Sequence, residues 1–201
     1  MSRMKDWEKP EGVNTVPSVG SDIGLTNENE AIPSLIQSKQ QIERYNLNID
    51  AQAILVATRL MAAGANLGHA AEIHFSRFGL STGRYRLLVD LEDSGGEALP
   101  SQLAEHLGVT RATVTGLIDI LERDGLVSRR ASSKDGRQKS IILTEQGAKK
   151  LREMAPEHFA RLEAMVGLLS IEERSVFLDL LSRVTQGISA LTDEWNITTD
   201  K

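Results

Sequence analysis

The sequence predicts a mainly helical chain with one small β-hairpin. Three observations lead there. Apolar residues recur at three- and four-residue spacing along most of the chain, and most of these runs begin just after a Ser, Thr or Asp able to cap a helix. Only one stretch changes to alternation, on either side of an Asp135-Gly136 turn signal.

A length of 201 residues holds one sizeable domain or two small ones, and 40% hydrophobic residues suffice for a core. Cysteine is absent, which excludes disulfides, thiolate metal sites, iron–sulfur clusters and cysteine nucleophiles, and fits a cytoplasmic location. The N-terminal stretch lacks the apolar core of a signal peptide, and no run of about 18 apolar residues offers a span, so no membrane partner is expected. The net charge of −5 argues mildly against a polyanionic partner, but a whole-chain sum hides where the charges lie.

Residues 1–32 mix Gly, Pro, Asn, Ser and acids without a sustained period and read as a flexible arm. Residues 33–79 hold two helices. Leu35, Ile36, Lys39 and Ile42 fall at helix spacing after Pro33, and Asp50 caps a longer run through Ile54, Ala57, Leu60, Met61, Leu67, Ala71 and Phe75 that Gly79 stops. Such a helix spans about 40 Å, too long for one small domain to cover, so it calls for a partner.

The segment 80–144 opens with a helix capped by Ser81, carrying Tyr85, Leu88, Val89 and Leu91 and ended by Gly95-Gly96. Beyond it, residues 145–195 supply two more helices. One is capped by Thr144 and contains Leu151, Met154, Phe159, Leu162, Met165 and Val166, with Pro156 expected to kink or break it. The other starts at Ser170 and places Val176, Phe177, Leu180, Leu181, Val184, Ile188 and Leu191 on one stripe. Because 80–144 has enough apolar residues for its own core, the N- and C-terminal helices are expected to pack between chains and make a homodimer. Residues 196–201 read as a flexible tail.

Within 80–144, LPSQLAEHLGVTRATVTGLIDILERDGLV reads as two helices broken at Gly108, with Leu103, Ala104, Leu107 and Val109 facing Val114, Leu117, Ile118 and Leu121. A helix, a tight turn with glycine and a second helix capped by Thr110 make a helix-turn-helix. Stepping about 100° per residue puts the apolar side chains of the second helix on one side and Ala112, Gly116, Asp119 and Arg123 opposite, flanked by Arg111, Thr113 and Thr115. A mid-helix glycine costs about 1 kcal/mol relative to alanine, so Gly116 marks a close approach. That approach is either to another element of the chain or to a nucleic-acid groove. In the second case Ala112 and Gly116 let the helix sink in, while Arg111, Thr113 and Thr115 reach base edges or phosphates.

The strands LVSRR and KSIILT then make a hairpin wing, with Lys134, Arg137 and Lys139 near its tip. An arginine there has the reach to enter a narrow, electronegative minor groove, and Asp135 is placed to orient it. From Val109 to Ser140 seven cations (Arg111, Arg123, Arg129, Arg130, Lys134, Arg137, Lys139) outnumber four acids (Asp119, Glu122, Asp124, Asp135), a basic block on an acidic chain. Double-stranded DNA is the expected partner, and a winged helix used only for protein–protein contact is the alternative.

The order GLSTGRYRLLVDLE … LPSQLAEHLGVTRATVTGLIDILERDGLVSRR … DGRQKSIILTEQG resembles the MarR family of transcriptional regulators, from Asp50 onward and most specifically over Leu103 to Thr144. The resemblance implies a winged-helix dimer built by its N- and C-terminal helices. It also implies major-groove recognition helices on a pseudo-palindromic operator and a wing arginine in the minor groove. By position, Arg137 matches that arginine, Asp135 its acidic companion, Thr110 the recognition-helix cap and Ser101 a phosphate contact. Many members carry arginine where this chain has Gly116 and Ile120, which shifts base readout to Arg111, Thr113 and Thr115. A helix near residues 33–47 resembles a subgroup with an added N-terminal helix, but the tryptophan and acid pattern some of those use for ligand is not evident. The implied protein is an effector-responsive repressor that needs no cofactor, with an effector of unknown class.

Other constellations are weaker. His69 and Glu72 stand one turn apart, but His74, five residues on, diverges from His69, which is poor metal-ligand spacing. His106 is expected at the edge of the helix-turn-helix and His158 in isolation. No Ser-His-Asp arrangement, zinc-protease motif or phosphate-cradling loop occurs, so no enzyme is expected. Arg59, His69, Arg77, Arg84 and Arg86 are near enough in sequence to receive an anion, and equally suited to an ordinary surface.

Overall fold

The computed structural model describes residues 34–131 and 139–192. The chain divides into two compact units, residues 1–68 and 69–201.

In the first unit, α1 (Leu35–Arg44) starts from a reciprocal cap. The Ser34 hydroxyl accepts from the Gln37 amide at 3.2 Å, and the Gln37 side-chain carbonyl accepts from the Ser34 amide at 2.7 Å. Asn46, with φ 50°, turns the chain away after it. Asp50 then caps α2 (Ala51–Ser76), its carboxylate accepting from the Gln52 amide at 2.9 Å. Ile36, Val56 and Met61 remain exposed.

The second unit begins within the last turns of α2, where Ala71 and Phe75 face inward. Gly79, with φ 70°, then turns the chain into α3 (Thr82–Asp93), whose first turn is capped by the Ser81 hydroxyl. The order continues β1 (Glu97–Ala98), α4 (Pro100–Leu107), α5 (Arg111–Arg123), β2 (Val127–Ala131), β3 (Lys139–Leu143), α6 (Glu145–Met165), α7 (Ile171–Gln186) and a short 3₁₀ turn, Ile188–Leu191. The sheet is antiparallel in the order β1-β3-β2, with Ala98 and Arg129 both opposite Ile141. β1 is not anticipated by the sequence, since two residues are too few to show alternation.

One core joins these elements: Leu87, Leu88 and Leu91 of α3, Leu103 of α4, Val114, Ile118 and Leu121 of α5, Val127 of β2 and Ile141 of β3 are essentially sealed from solvent. Phe75 and Leu80 extend it on one side, and Leu151 and Met154 of α6 on the other. The core is therefore larger than the 80–144 segment, because the first half of α6 folds back onto α3. Thr144 fixes the corner between hairpin and helix: its amide donates to the Leu126 carbonyl at 3.1 Å and its hydroxyl to the Gly125 carbonyl at 2.7 Å. That hydroxyl also accepts from the Gly147 amide at 3.1 Å. A Cβ at Gly147 would collide with the Leu126 carbonyl oxygen, so backbone approach dictates that residue.

Two expectations need correction. α6 continues through Pro156 instead of breaking there, and the last helix stops at Gln186, leaving Ile188 and Leu191 in the 3₁₀ turn. Gly187 separates the two segments and interrupts helix propagation. No residue of α7 is buried, and Val176, Phe177, Leu180, Leu181 and Val184 are exposed along it.

Candidate nucleic-acid interface

α4 and α5 meet through a turn that the sequence makes inevitable. Gly108 closes α4 at φ 67°, a conformation that costs an L side chain energy and glycine little. Thr110 opens α5, its hydroxyl accepting from the Thr113 amide at 3.1 Å. Leu103, Ala104 and Leu107 of α4 are buried with Val114, Ile118 and Leu121 of α5, as the three- and four-residue spacing requires. Leu117 is half-buried and packs close to Gly83 of α3. Val109 departs from expectation: it is 37% exposed, because the left-handed turn at Gly108 swings it outward.

The opposite side of α5 is open. Arg111, Ala112, Thr113, Thr115, Gly116, Asp119 and Arg123 are all exposed. A Cβ built on Gly116 meets nothing within 4 Å, so packing inside the chain does not explain this glycine. The two threonines are already engaged locally: the Thr113 hydroxyl lies 2.9 Å from that of Thr110, and the Thr115 hydroxyl donates to the Arg111 carbonyl at 2.9 Å. Each hydroxyl oxygen keeps an acceptor lone pair, and Arg111 is left as the reaching donor. Ser101 is exposed in the first turn of α4, where free backbone amides and the helix dipole favour an anion. Lys134, Asp135 and Arg137 lie outside the described residues.

Three of the acids counted in the basic block are occupied by arginines. Arg129 of β2 pairs with both Asp119 and Glu122 of α5, and its backbone amide donates to Glu122 at 3.2 Å. The hydrogen bond that Arg129 donates to Asp119, together with the charges of both acids, raises the Arg129 pKa above its ordinary value against the pull of desolvation. Asp124 pairs with Arg84 at 3.4 Å. Arg111, Arg123, Arg130 and Lys139 form no ion pair among the described residues, while Asp119, Glu122 and Asp124 are each engaged by an arginine, Asp119 and Glu122 by the same one.

The remaining polar candidates resolve into structural roles. The Glu72 carboxylate accepts from the Thr82 amide at 3.2 Å, and His106 pairs with Asp90 at 3.0 Å. His158 is not isolated: its Nδ1 lies 3.0 Å from His74 Nε2, among the rings of Phe75, Tyr85 and Phe159. Sequence spacing could not reveal this pair, whose members are 84 positions apart on different helices. Burial and then the neighbouring His74 lower the His158 pKa. Of the suggested anion receivers, Arg84 is held by Ser81 and Asp124, and Arg86 donates to the Leu107 carbonyl at 3.3 Å. No cluster of three or more metal-ligating side chains occurs among the described residues. No helix among them is long and apolar enough to cross a membrane.

A helix-turn-helix followed by a β-hairpin, with the second helix exposing small residues and cations that form no ion pair among the described residues, defines a winged-helix DNA-binding protein. A profile of the MarR family matches residues 80–139. The HTH-type transcriptional repressor YetL of Bacillus subtilis is 35% identical over 163 residues, covering 81% of this chain and 97% of the relative. Two MarR family regulators of Streptomyces coelicolor share the fold at 26% identity. AbsC has a TM-score of 0.62 over 71% of this chain and 97% of its own. Sco3205, solved in complex with DNA, has a TM-score of 0.64 over 70% and 90% respectively. The chain belongs to the MarR family of DNA-binding transcriptional regulators.

Proposed function

We propose that this regulator is a repressor acting as a homodimer on a pseudo-palindromic operator, and that it releases DNA when a small-molecule effector changes the separation of its two recognition helices. The observation that carries the reading is the open face of α5, where Ala112 and Gly116 leave room for a groove wall and Arg111, at the helix start, is exposed and forms no ion pair among the described residues. In this reading Arg111, Thr113 and Thr115 read base edges, Ser101 and Thr110 lie along phosphates, and Lys134, Asp135 and Arg137 form the wing contact. Two such helices must reach successive major grooves about 34 Å apart, so a modest change in their separation abolishes simultaneous docking. YetL, which covers most of the chain, is named a repressor, and that supports repression here.

A gel-shift series over salt concentration, with duplex from the chain's own promoter region, tests the proposal. Binding should weaken steeply with salt, and Arg137→Ala should lower the slope of that dependence. Salt-insensitive or absent binding would instead make the winged helix a protein-contact module.

A further inference from the structure

The order β1-β3-β2 leaves β2 at the sheet edge, with one row of backbone groups unpaired by any strand. Glu122, in the last turn of α5, fills part of that row: one carboxylate oxygen accepts from the Arg129 amide at 3.2 Å and the other pairs with the Arg129 guanidinium. Asp119, three residues earlier and therefore on the same side of α5, takes another guanidinium nitrogen. Backbone and side chain of one hairpin residue are thus both tied to the helix that faces DNA in the proposed function. Arg129 is only a quarter exposed, whereas Arg123 and Arg130 beside it are open to solvent. An isolated surface ion pair contributes little, but a forked guanidinium shared by two carboxylates, one of which also holds the arginine's own amide, fixes direction as well as charge.

We propose that Arg129 is a positioning residue: clasped by Asp119 and Glu122, it locks the hairpin to α5 so that wing and helix meet duplex DNA as one rigid body, and it does not itself neutralise a phosphate. The chain spends a cation of its basic block on geometry, and spends two acids on the helix that faces a polyanion. Those acids are therefore needed for binding even though their charge opposes it. The inference rests on the DNA-binding mode proposed above.

The full-length Asp119→Asn/Glu122→Gln variant makes the two views differ in sign. By charge alone, removing two negative groups per chain strengthens binding to any duplex. If Arg129 is a strut, affinity for the promoter duplex falls by about tenfold or more while binding to random-sequence duplex holds or rises. A gain on both duplexes overturns the proposal. Arg129→Gln supplies the second arm: with the hairpin unlocked, adding Arg137→Ala costs much less than it does in the wild type, whereas additive losses mean that Arg129 is an independent phosphate contact. Should wild-type protein show no salt-dependent binding, the DNA reading fails, and the strut is judged on the free protein. There the Arg129 amide exchanges at least about tenfold faster in Glu122→Ala, in a variant that remains folded by thermal melting. Unchanged exchange overturns it.

Discussion

Gly116 separates stability from function more cleanly than any other residue of α5. Replacement by leucine puts a Cβ into space with no atom within 4 Å, so the free protein meets no clash at that atom. Glycine in a helix interior is about 0.8–1 kcal/mol less favourable than alanine, and leucine lies near alanine on the same scale. Gly116→Leu should therefore stabilise the chain by roughly 0.8 kcal/mol, a rise of about 2–3 °C in Tm for a protein of this size at fixed protomer concentration. On DNA the sign reverses: a branched side chain on the face that must approach the groove, beside Ala112, holds the helix off, and affinity for the promoter duplex should fall by about tenfold or more. Gly116→Ala should keep most of the stability gain with a smaller loss of binding. Calorimetry and gel shift on the same preparations decide the matter. A variant that melts earlier, or one that melts later and binds as well as wild type, would refute the claim that this glycine serves a groove.

Three further outcomes follow from the packing. Gly147→Ala drives a Cβ onto the Leu126 backbone carbonyl, which cannot rotate aside, and should cost about 3 kcal/mol in urea unfolding, the upper end for overpacking. Burial lowers the His158 pKa, so the unfolded chain takes up that proton first as pH falls: its contribution is complete above the unfolded value of about 6.5 and is lost from there down through the folded pKa. In His158→Gln the urea midpoint should vary less with pH over that window, and an identical pH profile would show that the residue is not titrating in the core. Phe177, Leu181 and Val184 lie on one exposed stripe of α7, so Phe177→Glu/Val184→Glu should leave each chain folded by circular dichroism yet monomeric in sedimentation; an undiminished dimer would move the interface elsewhere.

What the sequence made legible is what repeats at short range. Caps at Asp50, Ser81, Thr110, Thr144 and Ser170 act within three residues of themselves, and helix spacing assigns Val114, Ile118 and Leu121 to the interior without reference to any partner. The exposed face of α5 follows as the complement of that interior. What stayed hidden depends on distant residues. β1 exists only because Glu97 and Ala98 find Ile142 and Ile141, and Gly147 is explained only by the Leu126 carbonyl that crosses it. The His74–His158 pair joins helices that a linear reading assigns to opposite ends of the chain. In the sequence Arg129 is one cation among seven, because composition cannot tell a charge facing solvent from one already committed to two carboxylates.

That last distinction bears on how an acidic protein binds a polyanion. Charges separated by more than about 8–10 Å at physiological salt scarcely influence one another, so the net charge of −5 is the wrong quantity for a surface a few residues across. On that surface the acids are not merely outnumbered. Asp119, Glu122 and Asp124 each have an arginine within reach: Arg84 cancels Asp124, and Arg129, shared by Asp119 and Glu122, leaves one net negative charge where the two acids alone would leave two. Arg111, Arg123, Arg130 and Lys139 then act, among the described residues, against a reduced local opposition. Internal ion pairs thus raise the contrast of a basic patch: they offset part of the negative charge that would otherwise cancel the cations beside it as phosphates approach.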